Sequence, residues 1–245
     1  MPLSPNSSSD MAYYHNDVYG SKLLVKIFGS LLHGRVLEVG AGAGHVTIEL
    51  AKRSKQVVAV EPTPSLFSEL RERTLPLSNV SVFHGTLRDY VQREKASSDA
   101  SNSLFDAIVY VNVLEHIEDD VTELFLVKEL LRPSGFVIIV VPAHQWLYAR
   151  VDQLTGHFRR YSKRTMTNVV SSSGLTLHSL RYFDSVGLVP YLVLYKWLRN
   201  VSTSGTNATI YSRVIMPISY MIFVLFRGRL LGKNLVAIAG ASAAG

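Results

Sequence analysis

Short and almost uninterrupted apolar runs recur along the 245-residue chain. Runs of this length are typical of strands that are buried on both faces of a parallel sheet. Between them, apolar residues recur at a helical spacing, as in residues 21–32. The pattern therefore predicts an α/β fold. The predicted strands are residues 36–39, 57–60, 79–83, 104–111, 136–141, 175–183 and 234–239.

The first predicted strand ends in a glycine-rich turn, Gly40-Ala41-Gly42-Ala43-Gly44, and a helical stretch begins at His45. Glycine lets the backbone come close to a ligand, and the start of a helix offers N–H groups without partners. The second strand ends in Glu61, and an acid at that place can accept hydrogen bonds from both hydroxyls of a ribose. These features predict a site for a cofactor that contains a nucleoside.

The spacing of the glycines argues against a dinucleotide. A dinucleotide fingerprint has its third glycine three places after the second, and His45 stands there in this chain. Glu38, inside the first strand, would repel a pyrophosphate but suits a cationic ligand. S-adenosylmethionine (SAM) has a ribose, an ammonium and a sulfonium group and no phosphate. Glu38 would then orient amides of the turn or the amino group of SAM.

The stretch from Glu38 to Gly44 resembles the first motif of the class I SAM-dependent methyltransferases, and Leu114-Glu115-His116 resembles a triplet that these enzymes often carry after the fourth strand. The resemblance implies a Rossmann-like, mostly parallel seven-stranded sheet with helices on both faces and an antiparallel last strand. It also implies SAM as cofactor. Residues 1–34 would form a cover segment, and residues 35–245 the methyltransferase domain. The residues expected at the cofactor are Tyr14, Glu38, Gly40, Ala41, Gly42, Glu61, Pro62, Thr86, Leu87, Asn112 and Val113.

The segment after the fifth strand carries the candidate acceptor site. Its Gly156–Tyr161 stretch resembles a loop in a bacterial subgroup related to the quinone and lipid methylating enzymes. His144 and His157 are candidate general bases, because imidazole titrates near the working pH. We expect the acceptor to contact His116, Trp146, Arg159, Arg160 and Tyr161.

Simpler roles for these residues stay open. Many methyltransferases need no dedicated base, and Asp152 could pair with one of the two arginines and hold the loop closed. Glu115 and His116 could order their own turn instead of contacting the acceptor. No metal site is predicted.

An apolar insertion, residues 185–232, precedes the last strand. It contains two strongly apolar stretches, residues 186–198 and 214–226, each shorter than the ~18–20 residues that cross a bilayer. They predict helices that are extra core or a dimer interface, or else a lid over a lipophilic acceptor that rests on an anionic membrane. The net charge of +6 lies entirely in the last 65 residues, which contain 7 basic residues and one acidic residue, Asp184. Residues 1–180 contain 18 basic and 18 acidic residues.

Together these features predict a SAM-dependent methyltransferase of a small, hydrophobic acceptor that could carry an anionic group. O-methylation is the default, and N- and C-methylation stay open. The alternatives are a methyltransferase of RNA or protein and a non-catalytic module that binds a membrane or a partner. The charge balance of residues 1–180 argues against RNA, and the glycine turn with Glu61 argues against a module. A chain without cysteine or a visible signal peptide favours a cytoplasmic protein that could touch a membrane peripherally or form a homodimer.

Overall fold

A computed structural model describes residues 18–96, 104–197 and 211–241. Its strands are β1 Arg35–Val39, β2 Gln56–Glu61, β3 Val80–His84, β4 Phe105–Val111, β5 Leu131–Pro142, β6 Leu175–Phe183 and β7 Asn234–Ala241. Its α-helices are α1 Val18–Phe28, α2 His45–Ala51, α3 Pro64–Thr74, α4 Leu87–Ala96, α5 Asp120–Leu130, α6 Arg150–Leu154, α7 Lys163–Ser172, α8 Leu188–Tyr191 and α9 Met216–Phe226.

The seven strands form one sheet in the order β3-β2-β1-β4-β5-β7-β6. The first five strands pair in parallel, and β7 runs antiparallel to both β5 and β6. The predicted seven-stranded, mostly parallel sheet with an antiparallel last strand is confirmed. Because the chain reverses its direction across the sheet after β3, the ends of β1 and β4 lie side by side.

Both faces of the sheet are buried, which explains the uninterrupted apolar runs. In β4, Ile108 and Tyr110 join a cluster that includes side chains of α4, α5 and α7. Ala107 and Val109 point to the other face and join a cluster with side chains of α1, α2 and α9. The helix at the start of the described chain therefore packs on the sheet.

The start of β5 differs from the prediction, in which this strand covers residues 136–141. The strand begins at Leu131, directly after α5, and Leu131 pairs with Phe105. The next pair is Phe136 with Ala107, so residues 132–135 bulge out of the ladder. A bulge of this kind gives the same polar, proline-containing pattern as a turn.

The insertion is helical in both described parts. The α8 helix continues as a π-helix over Leu192–Trp197, and a π-helix over Tyr211–Ile215 leads into α9. Met216 and Phe223 are buried in the cluster shared with α1, whereas Met221 and Leu225 are 65% and 75% exposed. Among the described residues, none of the helices combines the length and apolar character that crossing a membrane requires.

Candidate active site

The glycine turn after β1 leaves open space at Gly42. Its φ of +55° favours glycine, and a Cβ built on it would meet no atom within 4 Å. Gly40 differs, because a Cβ there would come within 2.5 Å of the Val113 side chain, just after β4. The turn therefore packs tightly against the end of β4 at Gly40 and is open at Gly42.

Glu61 at the end of β2 is tied to this turn. Its Oε2 accepts a hydrogen bond from the Gly42 amide at 2.8 Å, and its Oε1 accepts one from the Thr63 amide at 2.8 Å. The carboxyl group is buried and does not point into solvent. The sequence prediction that this acid and the glycine turn belong together agrees with this arrangement.

Glu38 lies beneath the turn and is also buried. Its Oε2 accepts a hydrogen bond from the Thr47 hydroxyl of α2 at 2.6 Å. Burial raises the pKa of Glu38 to about 8, against the effect of the Thr47 hydrogen bond and with a smaller contribution from the Glu61 charge. Glu38 thus connects β1 to α2.

The other residues expected at the cofactor have varied surroundings. Asn112 takes a left-handed backbone conformation, φ +53°, and its amide donates to the Val140 carbonyl. The Thr86 hydroxyl donates to Asp89 at the start of α4, and the Leu87 side chain lies in the core. Ala41 is buried and Pro62 is exposed. Tyr14 lies outside the described residues. Contacts of these residues with SAM stay predictions.

Two loops meet after the end of β4 and form a cluster of Glu115, His116 and His157, which we call the Glu–His cluster. Glu115 and His116 lie in a 3-10 turn after β4, and His157 lies in the loop between α6 and α7. The ligand atoms of the three side chains all lie within 4.8 Å of one another. Burial raises the pKa of Glu115 to about 8, and loss of water around the ring, helped by His157, lowers the pKa of His116 to about 4.

Asp152 of α6 holds in place the loop between α6 and α7, residues 155–162, which we call the acceptor loop. Its Oδ1 accepts hydrogen bonds from His157 Nδ1 at 2.9 Å and from Arg160 Nε at 2.9 Å, and its Oδ2 accepts one from the Tyr191 hydroxyl at 2.9 Å. Burial alone would raise the pKa of Asp152, but the His157 hydrogen bond and the Arg160 charge hold it well below its usual range. Arg160 also lies over the Tyr191 ring, 4.4 Å from its centroid.

A second acid, Asp120, holds the other end of the same loop. The Tyr161 hydroxyl donates to Asp120 Oδ2 at 2.7 Å and to the Leu114 carbonyl at 3.2 Å. Arg159 forms an ion pair with Asp120 at 2.8 Å and donates to the Glu118 carbonyl at 2.6 Å. The simpler role left open by the sequence, in which Asp152 pairs with one arginine, agrees with the Asp152–Arg160 ion pair. The Asp120–Arg159 pair is a further contact that the sequence did not indicate.

The two candidate bases lie in different surroundings. His144 Nε2 contacts the Gly232 carbonyl at 3.1 Å, and its ring stacks on Tyr182 with centroids 4.9 Å apart. Burial lowers the pKa of His144. It therefore packs against the connection before β7 and is not a member of the Glu–His cluster. Trp146 follows it and is 56% exposed.

Two contributors had no signal of their own in the sequence. In the sequence, Tyr191 is one of many apolar residues of the insertion, and Asp120 is an ordinary acidic residue at the start of a helix. Both act through hydrogen bonds to residues about 40 positions away in the chain. Only three-dimensional contacts could have revealed them.

Residues 15–180 match a family described as a methyltransferase domain. The chain belongs to this methyltransferase family. The predicted class I SAM-dependent methyltransferase is thereby confirmed, and SAM is the cofactor. The residues matched include the glycine turn, Glu61 and the Glu–His cluster.

Curated relatives of this methyltransferase carry two kinds of name. The chain is 27% identical over 105 residues to the ubiquinone biosynthesis O-methyltransferase of Cereibacter sphaeroides, which covers 42% of this chain and 39% of that protein. It is 35% identical over 72 residues to the ribosomal RNA small subunit methyltransferase A of Koribacter versatilis, which covers 29% of this chain and 25% of that protein. The chain thus spans well under half the length of these relatives. The expected absence of a nucleic-acid partner is not confirmed, because the second relative is named for RNA.

Solved structures share the fold of this methyltransferase along nearly its whole length. The DhpI complex with S-adenosylhomocysteine superposes with a TM-score of 0.56 at 17% identity and covers 96% of each chain. A SAM-dependent methyltransferase from Archaeoglobus fulgidus superposes with a TM-score of 0.54 at 17% identity, covering 90% of this chain and 91% of that one. At such identities the likeness is one of fold alone.

Proposed function

We propose that this protein transfers the methyl group of SAM to a small, lipophilic acceptor, with oxygen as the default methylated atom. One observation carries the proposal: the open space at Gly42, bordered by the buried Glu61, lies at the same sheet edge as the Glu–His cluster. A cofactor on the first would present its reactive end toward the second, because the Gly40 backbone packs directly against Val113.

SAM would use groups that the turn already holds in place. Each Glu61 oxygen accepts one backbone N–H and keeps a further lone pair for a ribose hydroxyl. Asn112 and Val113, at the end of β4, would border the methionine part and the adenine edge. Thr86 and Leu87 would contribute to the adenine side through their backbone, since the Thr86 hydroxyl caps α4 and the Leu87 side chain is buried.

Methyl transfer places few chemical demands on the protein. The sulfonium already activates the carbon, so alignment of nucleophile, methyl and sulfur supplies most of the rate, up to about 7–11 kcal/mol. His157 would take the acceptor proton, because Asp152 binds its Nδ1 and leaves Nε2 facing the cluster. Arg159, Arg160 and Tyr161 would hold the acceptor loop in position and would not contact the acceptor themselves.

The lipophilic character of the acceptor is supported by the insertion. The Tyr191 hydroxyl donates to Asp152, so α8 of the insertion is anchored next to the acceptor loop. Trp146 and Phe158 are 56% and 51% exposed, and His144 would line the acceptor site without acting as a base. The second part of the insertion carries an exposed apolar stretch around Arg227 and Arg229, formed by Val224, Leu225, Phe226, Leu230 and Leu231. Such a surface suits an anionic lipid bilayer that holds the acceptor.

The RNA relative supports a second candidate, an RNA methyltransferase. The even balance of 18 basic and 18 acidic residues over positions 1–180 disfavours it, because RNA binding needs a basic surface. Incubating the protein and labelled SAM separately with a lipid extract and with total RNA distinguishes the two. Label in the lipid extract supports our proposal, and label in RNA alone overturns it.

Calorimetric titration with SAM tests the cofactor site. Gly42→Val should abolish binding, because the side chain would occupy the open space that the ligand needs. Gly29→Val is the matched control, since Gly29 also has a left-handed φ of +50° and open space at its Cβ but lies after α1. Equal SAM binding by both variants would show that the cofactor lies elsewhere.

A further inference from the structure

The Glu–His cluster contains buried polar atoms without hydrogen-bond partners. Glu115 is fully buried, and neither of its carboxyl oxygens accepts a hydrogen bond from another residue. His157 is 9% exposed, and its Nε2 has no partner either. Unpaired buried groups of this kind are rare and costly, so an ordered water, an ion or a ligand normally satisfies them.

These unpaired atoms point at one another. His157 Nε2 and Glu115 Oε1 lie 4.0 Å apart, which is too long for a direct hydrogen bond. The His116 ring meets the His157 ring edge to face with centroids 4.6 Å apart, and its ligand atom completes a group of three within 4.8 Å. Bonds of about 2.0–2.2 Å place the ligand atoms of a tetrahedral zinc ion about 3.3–3.6 Å apart, so these three side chains would draw together by up to about 1 Å around one ion.

Asp152 fixes which nitrogen of His157 faces the cluster. The Asp152 carboxylate is also ion-paired with Arg160, so it accepts the hydrogen bond and His157 Nδ1 donates it. Nε2 then presents its lone pair toward Glu115. A carboxylate that orients a histidine in this way is the usual support of a metal-bound imidazole.

We propose that Glu115, His116 and His157 bind a divalent first-row metal ion, zinc being the best match to two imidazoles and one carboxylate. Three protein ligands leave at least one coordination position open, as in catalytic zinc sites. His116 is partly exposed, which gives an ion access from solvent. Within the described residues, this is the one group of three such side chains close enough to hold an ion.

The ion extends the proposed function, on which this inference rests. With the ion bound, His157 Nε2 would hold the metal instead of acting as the base. The open position would bind the oxygen of an acceptor hydroxyl and lower the pKa of that hydroxyl, so that the proton leaves to solvent. The oxygen lone pair would then form the new bond to the methyl carbon. The carbon–sulfur bond of SAM would break, and its electrons would stay on sulfur in S-adenosylhomocysteine. This chemistry favours acceptors with a hydroxyl or phenol group.

Cobalt titration of the full-length protein tests the site. Co²⁺ bound by imidazole and carboxylate absorbs visible light far more strongly than hexaaqua Co²⁺, so binding is read without measuring activity. We expect one equivalent to bind, zinc to displace it, and His116→Asn and the near-isosteric Glu115→Gln each to weaken binding at least about 10-fold. His33→Asn, which changes an exposed histidine after α1, should bind Co²⁺ as the parent does.

SAM calorimetry on the same proteins separates this proposal from the proposed function. Variants that keep SAM binding are folded, so their loss of Co²⁺ affinity would be assigned to the cluster. SAM binding by the parent with no Co²⁺ absorption, or with equal Co²⁺ affinity in His116→Asn and His33→Asn, would overturn the metal site alone. Absence of SAM binding in the parent would overturn the proposed function.

Discussion

The two halves of the candidate active site are built in opposite ways. The cofactor half consists of backbone amides and one acid from neighbouring strand ends, and both oxygens of Glu61 are already paired. The acceptor half consists of side chains from distant loops, and it leaves Glu115 and His157 with unpaired atoms. The first half is held in its conformation by hydrogen bonds from its own backbone amides to Glu61. The second depends on long-range hydrogen bonds and ion pairs between side chains, centred on Asp152 and Asp120.

The largest effect should come from breaking the network at Asp152. Asp152→Ala leaves Arg160 buried without its ion pair, and we expect a loss of about 3–5 kcal/mol in the free energy of unfolding. Urea denaturation measures it. Glu129→Ala, which breaks the exposed pair with Lys95, is the control and should cost about 1 kcal/mol or less. Similar losses in both variants would mean that Asp152 is not a structural centre.

Glu38 should make the stability of the cofactor half depend on pH. Because burial raises its folded pKa from 4.5 to about 8, the native state holds the proton more tightly than the unfolded chain does. The resulting stability is fully present below about pH 4.5 and is lost as the pH rises through about 8.

Glu38→Gln, which cannot ionise, should therefore gain stability relative to the parent as the pH rises, by up to a few kcal/mol. Urea denaturation without SAM at pH 5 and pH 8 compares the two proteins. If the free energies of unfolding of parent and variant differ by the same amount at both pH values, Glu38 is not a buried acid with a raised pKa.

Glu61→Gln should weaken SAM binding without unfolding the protein. A hydrogen bond to a charged group contributes about 1.5–3 kcal/mol, so the dissociation constant should rise by about 10- to 100-fold. Calorimetry measures the change, and Glu72→Gln, at an exposed position of α3, is the control. If Glu61→Gln binds SAM with unchanged affinity, the ribose does not bind at the end of β2.

The smallest expected effect concerns the membrane side of the acceptor half. Arg227→Ala combined with Arg229→Ala should reduce binding to vesicles containing anionic lipid by about 2 kcal/mol, about 1 for each arginine. The double variant Arg71→Ala with Arg164→Ala removes the same charge from exposed positions elsewhere and should bind as the parent does. Equal binding by both double variants would exclude a specific membrane face.

The sequence is informative where the structure is local. Gly40, Gly42 and Glu61 could be placed together because each follows a strand end, and parallel strand ends meet at one edge. The predicted strand starts only at residue 136, five residues after the observed start of β5, because the bulge at residues 132–135 interrupts the apolar run.

The acceptor half was predicted as a set of residues but not as a set of contacts. His157, Arg159, Arg160 and Tyr161 are indeed adjacent, yet their roles depend on Asp120, Glu118 and Tyr191, which no periodicity connects to them. The Glu–His cluster stayed hidden for the same reason, because its members come from two loops without a ligand-spacing motif.

The single carboxylate of Asp152 serves both the insertion, through Tyr191, and the loop of His157. Chimaeras that exchange the insertion to change acceptor preference would therefore also disturb the imidazole, unless the graft supplies a phenol at position 191. An exchanged insertion therefore has to keep a tyrosine hydroxyl that can donate to Asp152.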